Sequence, residues 1–337
     1  MAVTAPAAPA LAAAAAGVAR IRLAVLPTPL TPAPRLGRAL GTGPLLVKRD
    51  DLTGFAFGGN KARLLEFLLA AALADGADTL VTGGAASSNF CAAAAAAARH
   101  AGLRCELVIA GLPQPLARPP GPALALAMTW GAVVRWTGTT DRDSVDTQLP
   151  RAAAELTAQG RRPYLMPRGG ATGLGAIGYA LAAAELHEQL DGRGGIHVVV
   201  PVGSGGTLAG LVAGHVLLGR PWTLVGCSAS RPPEAAARQV LTLARQCLRL
   251  LGSDPGQLGA DEVAVADARG PGHGLASADG TAAAAMAIRT EGLMVDPVYT
   301  AKALAMAARC ARGREAVFWH TGGVLDAVAA AGPEACP

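Results

Sequence analysis

The alternation of short β-branched runs with longer alanine- and leucine-rich stretches restricts the fold of this chain more than any other feature. The runs have the length of buried strands, and the stretches between them have the length and composition of helices. Such a rhythm is typical of βαβ units, in which a crossover helix joins two parallel strands. Examples of the runs are LLVKRD, TLVTGG, CELVIAG, AVVRWTG, HVVVPVGSGG and AVFWHTGG. We therefore predict an α/β protein with open, mainly parallel sheets, and 337 residues are enough for two such domains.

Composition argues against membranes and nucleic acids as partners. No stretch offers about 18 consecutive strongly apolar residues, so no membrane-spanning helix is predicted. The net charge of +5 is spread along the chain without a lysine/arginine block or interleaved aromatic residues. A nucleic-acid-binding surface is therefore not indicated, whereas an anionic small ligand is compatible with this charge.

The amino terminus and the cysteines both favour a cytoplasmic protein. Residues 1–17 are rich in alanine and proline and carry no charge, so they lack the basic segment of a secretory signal. We predict that they form a disordered tail, because they cannot bury a core alone. The six cysteines show no metal-binding spacing, so we expect reduced thiols and no metal site. They stand at positions 91, 105, 227, 247, 310 and 336.

Lysine is rare in this chain: of 29 basic residues, only Lys48, Lys61 and Lys302 are lysines. A primary amine can form an imine and a guanidinium cannot, so each retained lysine invites a chemical explanation. Lys61 follows a Gly-Gly-Asn segment ending at Asn60 and begins a predicted amphipathic helix. Burial and the positive end of the helix macrodipole would both lower the pKa of its amine, as a Schiff-base nucleophile requires. The alternative for Lys61 is a solvated surface lysine. Lys48 and Lys302 are interpreted as ordinary charged positions.

A glycine-rich loop follows the apolar run HVVVPV and begins the next predicted helix. It consists of Gly203, Ser204, Gly205, Gly206 and Thr207. Successive backbone amides at a helix N-terminus form a cradle for a phosphate group. The loop lacks the pattern of nucleotide-hydrolysing P-loops, and Leu208 stands where a dinucleotide-binding loop carries its third glycine. The alternative is a tight strand-to-helix turn without a ligand.

Six segments, in order, carry a family resemblance: KRDDLTGFAFGGNKARLLEFLL, TLVTGGAASSNF, RPYLMPRGGATGLGAIGY, VPVGSGGTLAG, EGLMVDPVYTAKAL and WHTGG. Together they resemble the D-cysteine desulfhydrase and 1-aminocyclopropane-1-carboxylate deaminase family, over about residues 26–330. The resemblance implies a tryptophan-synthase-β-like fold (fold type II), the cofactor pyridoxal 5'-phosphate, a small amino-acid substrate and a homodimer. It implies a large cofactor-binding domain of residues 18–53 with 165–337 and a small domain of residues 54–164.

The resemblance also implies a role for individual residues. Lys61 would hold the cofactor as a Schiff base, and residues 203–207 would form a phosphate cup. Asn60, a candidate helix N-cap, is also assigned to the cofactor-binding residues. The remaining positions are Asn89 at the cofactor's phenolic oxygen, Thr321 at its ring nitrogen, Ser88 facing substrate and lysine, and Tyr299 lining the substrate pocket.

Three positions depart from the family pattern. Phe90 stands where the family usually has histidine, His273 where it commonly has tyrosine, and Thr300 where the deaminase branch has glutamate. All three are assigned to the substrate-facing wall. Their changes weaken an assignment to cyclopropane ring opening, and they favour neither parent activity. His273 is a candidate acid/base group near neutral pH, or a loop histidine satisfied by backbone. Phe90 is expected to fill space more than to stack on a ligand.

The expected function is a pyridoxal-phosphate-dependent lyase or deaminase that eliminates a thiol, or opens a ring, and releases ammonia and a 2-keto acid. One alternative is β-replacement, or a specialised biosynthetic reaction, on the same fold. Another is a homologue that binds the cofactor without turnover. A nicotinamide oxidoreductase is disfavoured by Leu208.

Overall fold

The computed structural model describes residues 7–113 and 121–330, with only the backbone of residue 7. The strands are β1 (Leu30–Pro32), β2 (Leu45–Arg49), β3 (Thr79–Ala85), β4 (Arg104–Ala110), β5 (Val133–Trp136), β6 (Pro163–Leu165), β7 (His197–Val202), β8 (Thr223–Ser228), β9 (Val265–Asp267) and β10 (Ala316–His320). The helices are α1 (Ala7–Ala16), α2 (Pro34–Leu40), α3 (Lys61–Ala74), α4 (Asn89–His100), α5 (Pro122–Thr129), α6 (Ser144–Ala158), α7 (Gly173–Gln189), α8 (Gly206–Leu217), α9 (Pro233–Leu250), α10 (Ala278–Glu291), α11 (Thr300–Cys310) and α12 (Val324–Ala330).

Two compact units divide the described chain. The larger unit contains residues 7–18, 24–60 and 172–330, and the smaller unit contains residues 19–23, 61–113 and 121–171. Each unit has its own sheet flanked by helices, so the predicted α/β class with open parallel sheets is confirmed.

The larger unit is built on a six-stranded sheet in the order β1-β2-β10-β7-β8-β9. All pairs are parallel except β1 with β2. Strands β7 and β10 lie side by side in the middle and are buried along their whole length. Because the carboxyl ends of neighbouring parallel strands meet at one edge of a sheet, the loops after β7 and β10 lie together. These loops are residues 203–205 and 321–323.

The smaller unit is built on a four-stranded parallel sheet in the order β5-β4-β3-β6. Helix α4 packs against β3 and β4, and its alanine run 92–98 is buried throughout. Alanine favours the helix and lets α4 approach the sheet closely. Gly83 in β3 serves the same purpose on the side of α6, because a Cβ atom there would lie 2.7 Å from a methyl carbon of Val145. Small residues therefore allow α4 and α6 to pack closely against the small sheet.

The junctions between the two units differ from the predicted domain boundaries. The sequence places residues 54–60 in the small domain, whereas they stay with the larger unit. The backbone explains this, because the Gly59 amide donates to the Asp50 carbonyl at 3.0 Å and the Asn60 amide donates to the Thr321 carbonyl at 2.9 Å.

Two further segments that the sequence places in the large domain belong to the smaller unit, residues 19–23 and 165–171. The Ile21 amide donates to the backbone carbonyl of Glu66 at 2.9 Å, and Arg20 forms an ion pair with the same residue. The Met166 amide donates to the Val81 carbonyl at 2.8 Å and so extends the edge of the small sheet. Such long-range contacts leave no local sequence signal.

The prediction of a disordered tail is wrong for residues 7–16, which form helix α1. Leu11 and Ala15 are buried, and α1 packs against α7. Alanine is the strongest helix former, and a partner helix supplies the burial that the segment cannot achieve alone. Residues 1–6 of the predicted tail, and Cys336 among the cysteines, lie outside the described residues. The cysteines at 91, 105, 227, 247 and 310 are free thiols.

Across residues 7–113 and 121–330, no helix is both long enough and apolar enough to cross a bilayer. Within the same ranges, no group of three or more histidine, cysteine or acidic side chains is arranged to hold a metal ion.

Candidate active site

The predicted phosphate cup (residues 203–207) joins the end of β7 to the start of α8. Gly205 has φ +97°, a backbone conformation in which a residue with a side chain would be strained. A Cβ atom there would also lie 3.3 Å from a methyl carbon of Val240. A Cβ atom on Gly203 would lie 3.1 Å from the ring of Tyr299. Glycine is therefore required for the shape of the cup, and the first amides of α8 are available to an anion.

Asn60 connects the cup with the loop after β10. Its side-chain amide donates to the hydroxyl of Thr207 at 2.8 Å, while its backbone amide donates to the Thr321 carbonyl. The chain crosses closely here, because a Cβ atom on Gly322 would lie 2.6 Å from the Cα atom of Gly59. Lys61 is the next residue, so covalent geometry keeps its Cα atom about 3.8 Å from that of Asn60.

Lys61 is the first residue of α3. Burial lowers the pKa of its amine from 10.5 to about 8, as the sequence predicts. A neutral amine is therefore accessible near physiological pH, which a nucleophile toward an aldehyde needs. An amine of this kind can react with an aldehyde, and a glycine cup at a helix N-terminus can bind a phosphate, so these residues fit a cofactor that carries both groups.

Ser88 and Asn89 lie at the start of α4 in the smaller unit, and both are half-buried. The Ser88 hydroxyl caps the helix by accepting from the Cys91 amide at 3.2 Å. Gly84 leaves room for this cap, because a Cβ atom there would lie 3.0 Å from the Ser88 oxygen. The structure thus adds a capping role for Ser88, and the roles toward substrate and cofactor stay predictions.

Phe90, the first departure from the family pattern, is only 2% exposed. Its ring packs directly on Gly170, where any side chain would overlap it. The turn at residues 168–170 is held in turn by Arg168, which pairs with Asp143 and Asp146. Phe90 therefore fills space in the smaller unit, which is the interpretation that the sequence favours.

His273 and Tyr299 are brought together in the larger unit. The Nε2 atom of His273 lies 2.9 Å from the Tyr299 hydroxyl, and the two rings meet edge to face. The Tyr299 ring also lies against Gly203 of the cup. The structure thus joins two predicted site residues that are 26 positions apart in the chain.

Asp296 is a residue that the sequence reasoning missed. It is 1% exposed, and its carboxylate accepts from the backbone amides of Val298, Tyr299 and Thr300 at 2.9, 2.7 and 2.9 Å. It therefore holds the backbone of Tyr299 at the start of α11. The signal available in the sequence was an aspartate just before a predicted helix, where carboxylates satisfy the free amides of the first turn.

Thr300, interpreted as part of the substrate-facing wall, has no exposed surface. Its hydroxyl bonds to the carboxylate of Asp296. The wall assignment is wrong for this residue, because a buried hydroxyl that completes a cap cannot face a substrate. A glutamate here would bury a second carboxylate beside the first.

The interpretation of Lys48 and Lys302 as ordinary charged positions is also wrong, because both are buried. The Lys48 amine donates to the Thr28 carbonyl and to Gln189, each at 2.7 Å, and pairs with Glu185. The Lys302 amine donates to two loop carbonyls. All three lysines of the chain therefore use a compact amine in a confined space.

Thr321 is 8% exposed, and its carbonyl is engaged by Asn60. The neighbouring His320 accepts from the Gly322 amide at its Nδ1 atom, 3.2 Å away, so its Nε2 atom donates to the Met294 carbonyl at 2.6 Å. His320 therefore shapes the loop at residues 321–323. The role of the Thr321 hydroxyl at a ring nitrogen stays a prediction.

The pyridoxal-phosphate dependent enzyme family matches residues 21–322. D-cysteine desulfhydrase of Klebsiella pneumoniae subsp. pneumoniae is 38% identical over 293 residues, 85% of this chain and 86% of the relative. D-cysteine desulfhydrase of Yersinia enterocolitica is 38% identical over 82% of this chain and 84% of the relative. The crystal structure of an ACC deaminase homologue superposes with a TM-score of 0.84 at 32% identity, covering 94% of this chain and 96% of that one. These matches confirm the predicted fold and cofactor, and the chain belongs to the pyridoxal-phosphate-dependent enzyme family.

Proposed function

We propose that this enzyme eliminates a thiol from a small amino acid such as cysteine and releases sulfide, ammonia and a 2-keto acid. The observation that carries the proposal is Lys61, whose burial-lowered pKa of about 8 supplies a nucleophilic amine directly after Asn60. Asn60 is itself hydrogen bonded to Thr207 of the phosphate cup. The similarity to D-cysteine desulfhydrases supports the choice of substrate class.

The residues of the larger unit would hold the cofactor. The amides at the start of α8 would bind its phosphate, and the Thr321 hydroxyl would meet its ring nitrogen. Ser88 and Asn89, at the positive end of α4, would bind anionic oxygens of substrate and cofactor. When bound, pyridoxal phosphate supplies an electron sink for negative charge at the substrate's α carbon.

Lys61 and the His273–Tyr299 pair divide the proton transfers. The Lys61 amine would take the proton from the substrate's α carbon. The carbon–sulfur bond then breaks, and the thiolate takes a proton from the Tyr299 hydroxyl, which His273 replenishes. The enamine product tautomerises to an imine, and water hydrolyses the imine to the keto acid and ammonia.

Ring opening of ACC is the second candidate, and the similarity to an ACC deaminase homologue favours it. His273 in place of tyrosine and the buried Thr300 in place of glutamate argue for elimination instead. We expect ACC to react more slowly than cysteine.

Product analysis tests the proposal. The cofactor-loaded enzyme is incubated with D-cysteine, L-cysteine or ACC, and sulfide, ammonia, pyruvate and 2-oxobutanoate are measured. We expect equal amounts of sulfide, ammonia and pyruvate from one cysteine enantiomer. Formation of 2-oxobutanoate alone would favour the deaminase reaction, and a thioether formed from an added thiol would favour β-replacement. An enzyme that binds the cofactor but turns over none of the three would contradict the proposal.

We also propose a homodimer, which the family resemblance supports. Light scattering should give about twice the 33.6 kDa mass of the chain. A mass of one chain over the working concentration range would contradict this.

A further inference from the structure

Lys302 lies on α11, three residues after Tyr299, and only 2% of its surface is exposed. Its amine donates to the carbonyl of Arg269 at 2.7 Å and to that of Gly272 at 3.0 Å. The residue that follows Gly272 is His273. A single buried amine therefore holds the backbone on which His273 is mounted.

The loop at residues 269–274 needs such a clamp. Gly270, Gly272 and Gly274 have φ angles of +59°, +146° and +81°, so half of the loop adopts conformations that only glycine adopts freely. Glycine loses more conformational freedom on ordering than any other residue, so the loop pays a large entropy cost to stay in place. Two charge-assisted hydrogen bonds to a buried ammonium offset that cost. Burial lowers the pKa of Lys302, and nearby Asp296 opposes this shift and supports the charge.

Both members of the His273–Tyr299 pair are thus attached to one helix. Asp296 holds the Tyr299 backbone at the start of α11, and Lys302 holds the His273 loop one turn further along. The 2.9 Å contact between His273 Nε2 and the Tyr299 hydroxyl thus joins two groups whose backbones are both anchored on α11.

We propose that Lys302 is a positioning residue that clamps the loop at residues 269–274, so that His273 and Tyr299 act as one proton-donating pair. The use of the pair to protonate a leaving group rests on the function proposed above, whereas the clamp itself does not. The compact amine is required, because the planar guanidinium of arginine is too large for one point between two carbonyls. This explains why lysine persists here in a chain that otherwise uses arginine.

The clamp is tested first in the cofactor-free protein. Histidine side-chain NMR spectra are recorded for the unaltered protein and for Lys302→Met, with the His273 signal identified by its loss in His273→Gln. We expect the His273 signal to move toward that of a solvent-exposed imidazole in Lys302→Met. Hydrogen exchange at residues 269–274 should accelerate at the same time. Arg309→Met is the matched control, because Arg309 lies on the same helix but pairs with Asp279 at the surface, and it should change neither measurement.

The cofactor-loaded enzyme gives the second measurement. We expect Lys302→Met to lower kcat by about ten- to a hundredfold with little change in KM, since the pair is misplaced while binding persists. Lys302→Arg should not restore kcat. If Lys302→Met fails to fold, Lys302→Gln serves instead, because glutamine retains one donor and should give an intermediate effect.

An unchanged His273 signal in a folded Lys302 variant would overturn the clamp. A shifted signal in a protein that releases no sulfide from cysteine would leave the clamp standing and contradict the proposed function. Full kcat in Lys302→Arg would show that charge alone suffices, and would overturn the requirement for a compact amine.

Discussion

The phosphate cup and the His273–Tyr299 corner lie side by side in the larger unit, yet they are built in different ways. The cup and the Gly59–Gly322 crossing beside it are formed by backbone, and glycine is required by close approach and positive φ. The corner is formed by side chains that hydrogen bond to one another and to a loop. A backbone site tolerates almost no substitution, whereas a side-chain corner can change its chemistry while the fold persists. We therefore expect cofactor binding and substrate choice to be separable, so that changes at the corner alter the substrate without loss of the cofactor.

Lys61→Ala should have the largest effect, because it removes the amine that is proposed to attach the cofactor. We expect activity to fall by at least about a thousandfold and the visible absorbance of lysine-bound cofactor to disappear. Absorbance spectroscopy of the purified variant with added pyridoxal phosphate checks both. Retention of the band would show that another amine attaches the cofactor. The contrast between the cup and the His273–Tyr299 corner would then no longer hold for cofactor binding.

Gly322→Ala tests the backbone region. The new methyl group would lie 2.6 Å from the Cα atom of Gly59, at a residue with φ +101°. Gly313→Ala is the matched control, because it has φ +65° and open space around its Cα atom. We expect Gly322→Ala to lower the free energy of unfolding by about 1–3 kcal/mol more than the control, with weaker cofactor binding. Denaturant unfolding and cofactor titration measure these changes, and equal losses in the two variants would mean that the crossing is not tight.

Tyr299→Phe tests the side-chain corner. It removes the hydroxyl that bonds to His273 and leaves the ring against Gly203. We expect kcat to fall by about ten- to a hundredfold while the dissociation constant of the cofactor stays the same. His273→Gln should lose a similar amount, and the double variant should lose no more than either alone. Additive losses would show that the two residues act independently.

The pH dependence of cofactor attachment has the smallest expected effect. With the pKa of Lys61 near 8, the neutral amine declines about tenfold for each pH unit well below that value. The rate of cofactor attachment, followed by absorbance, should therefore fall about fivefold from pH 8 to pH 7 and approach tenfold per unit below pH 7. Since the folded pKa lies below 10.5, the unfolded chain binds more protons here between pH 8 and 10.5, and this amine's contribution to folding stability rises with pH in that window. Lys61→Met should remove that rise, and a flat attachment rate down to pH 7 would contradict the lowered pKa.

Local patterns predicted much of the fold and part of the site. The alternation of strand-like and helix-like segments was enough to predict mainly parallel sheets, and the position of the cup followed from glycines at the end of an apolar run. Asp296 carried a capping signal that could have been read, but its link to Tyr299 required knowing where α11 begins. Helix α1 was missed because its stability depends on α7, which is more than 150 residues away along the chain. The burial of Lys48 and Lys302 was missed for the same reason, since their partners are distant carbonyls and side chains.

The amino-acid sequence by itself determined which chemical groups are present at each position. It supplies an amine at Lys61, glycines at 203, 205 and 322, and lysine at only three positions. Those choices express local conformational preference and chemical capacity, which act within a few residues. Tertiary structure decided what each group does. It lowered the Lys61 pKa by burial, paired His273 with Tyr299 and turned Thr300 from a candidate wall residue into part of a cap. Desolvation and hydrogen bonding depend on neighbours that only folding brings together, so these properties arise with the packed chain.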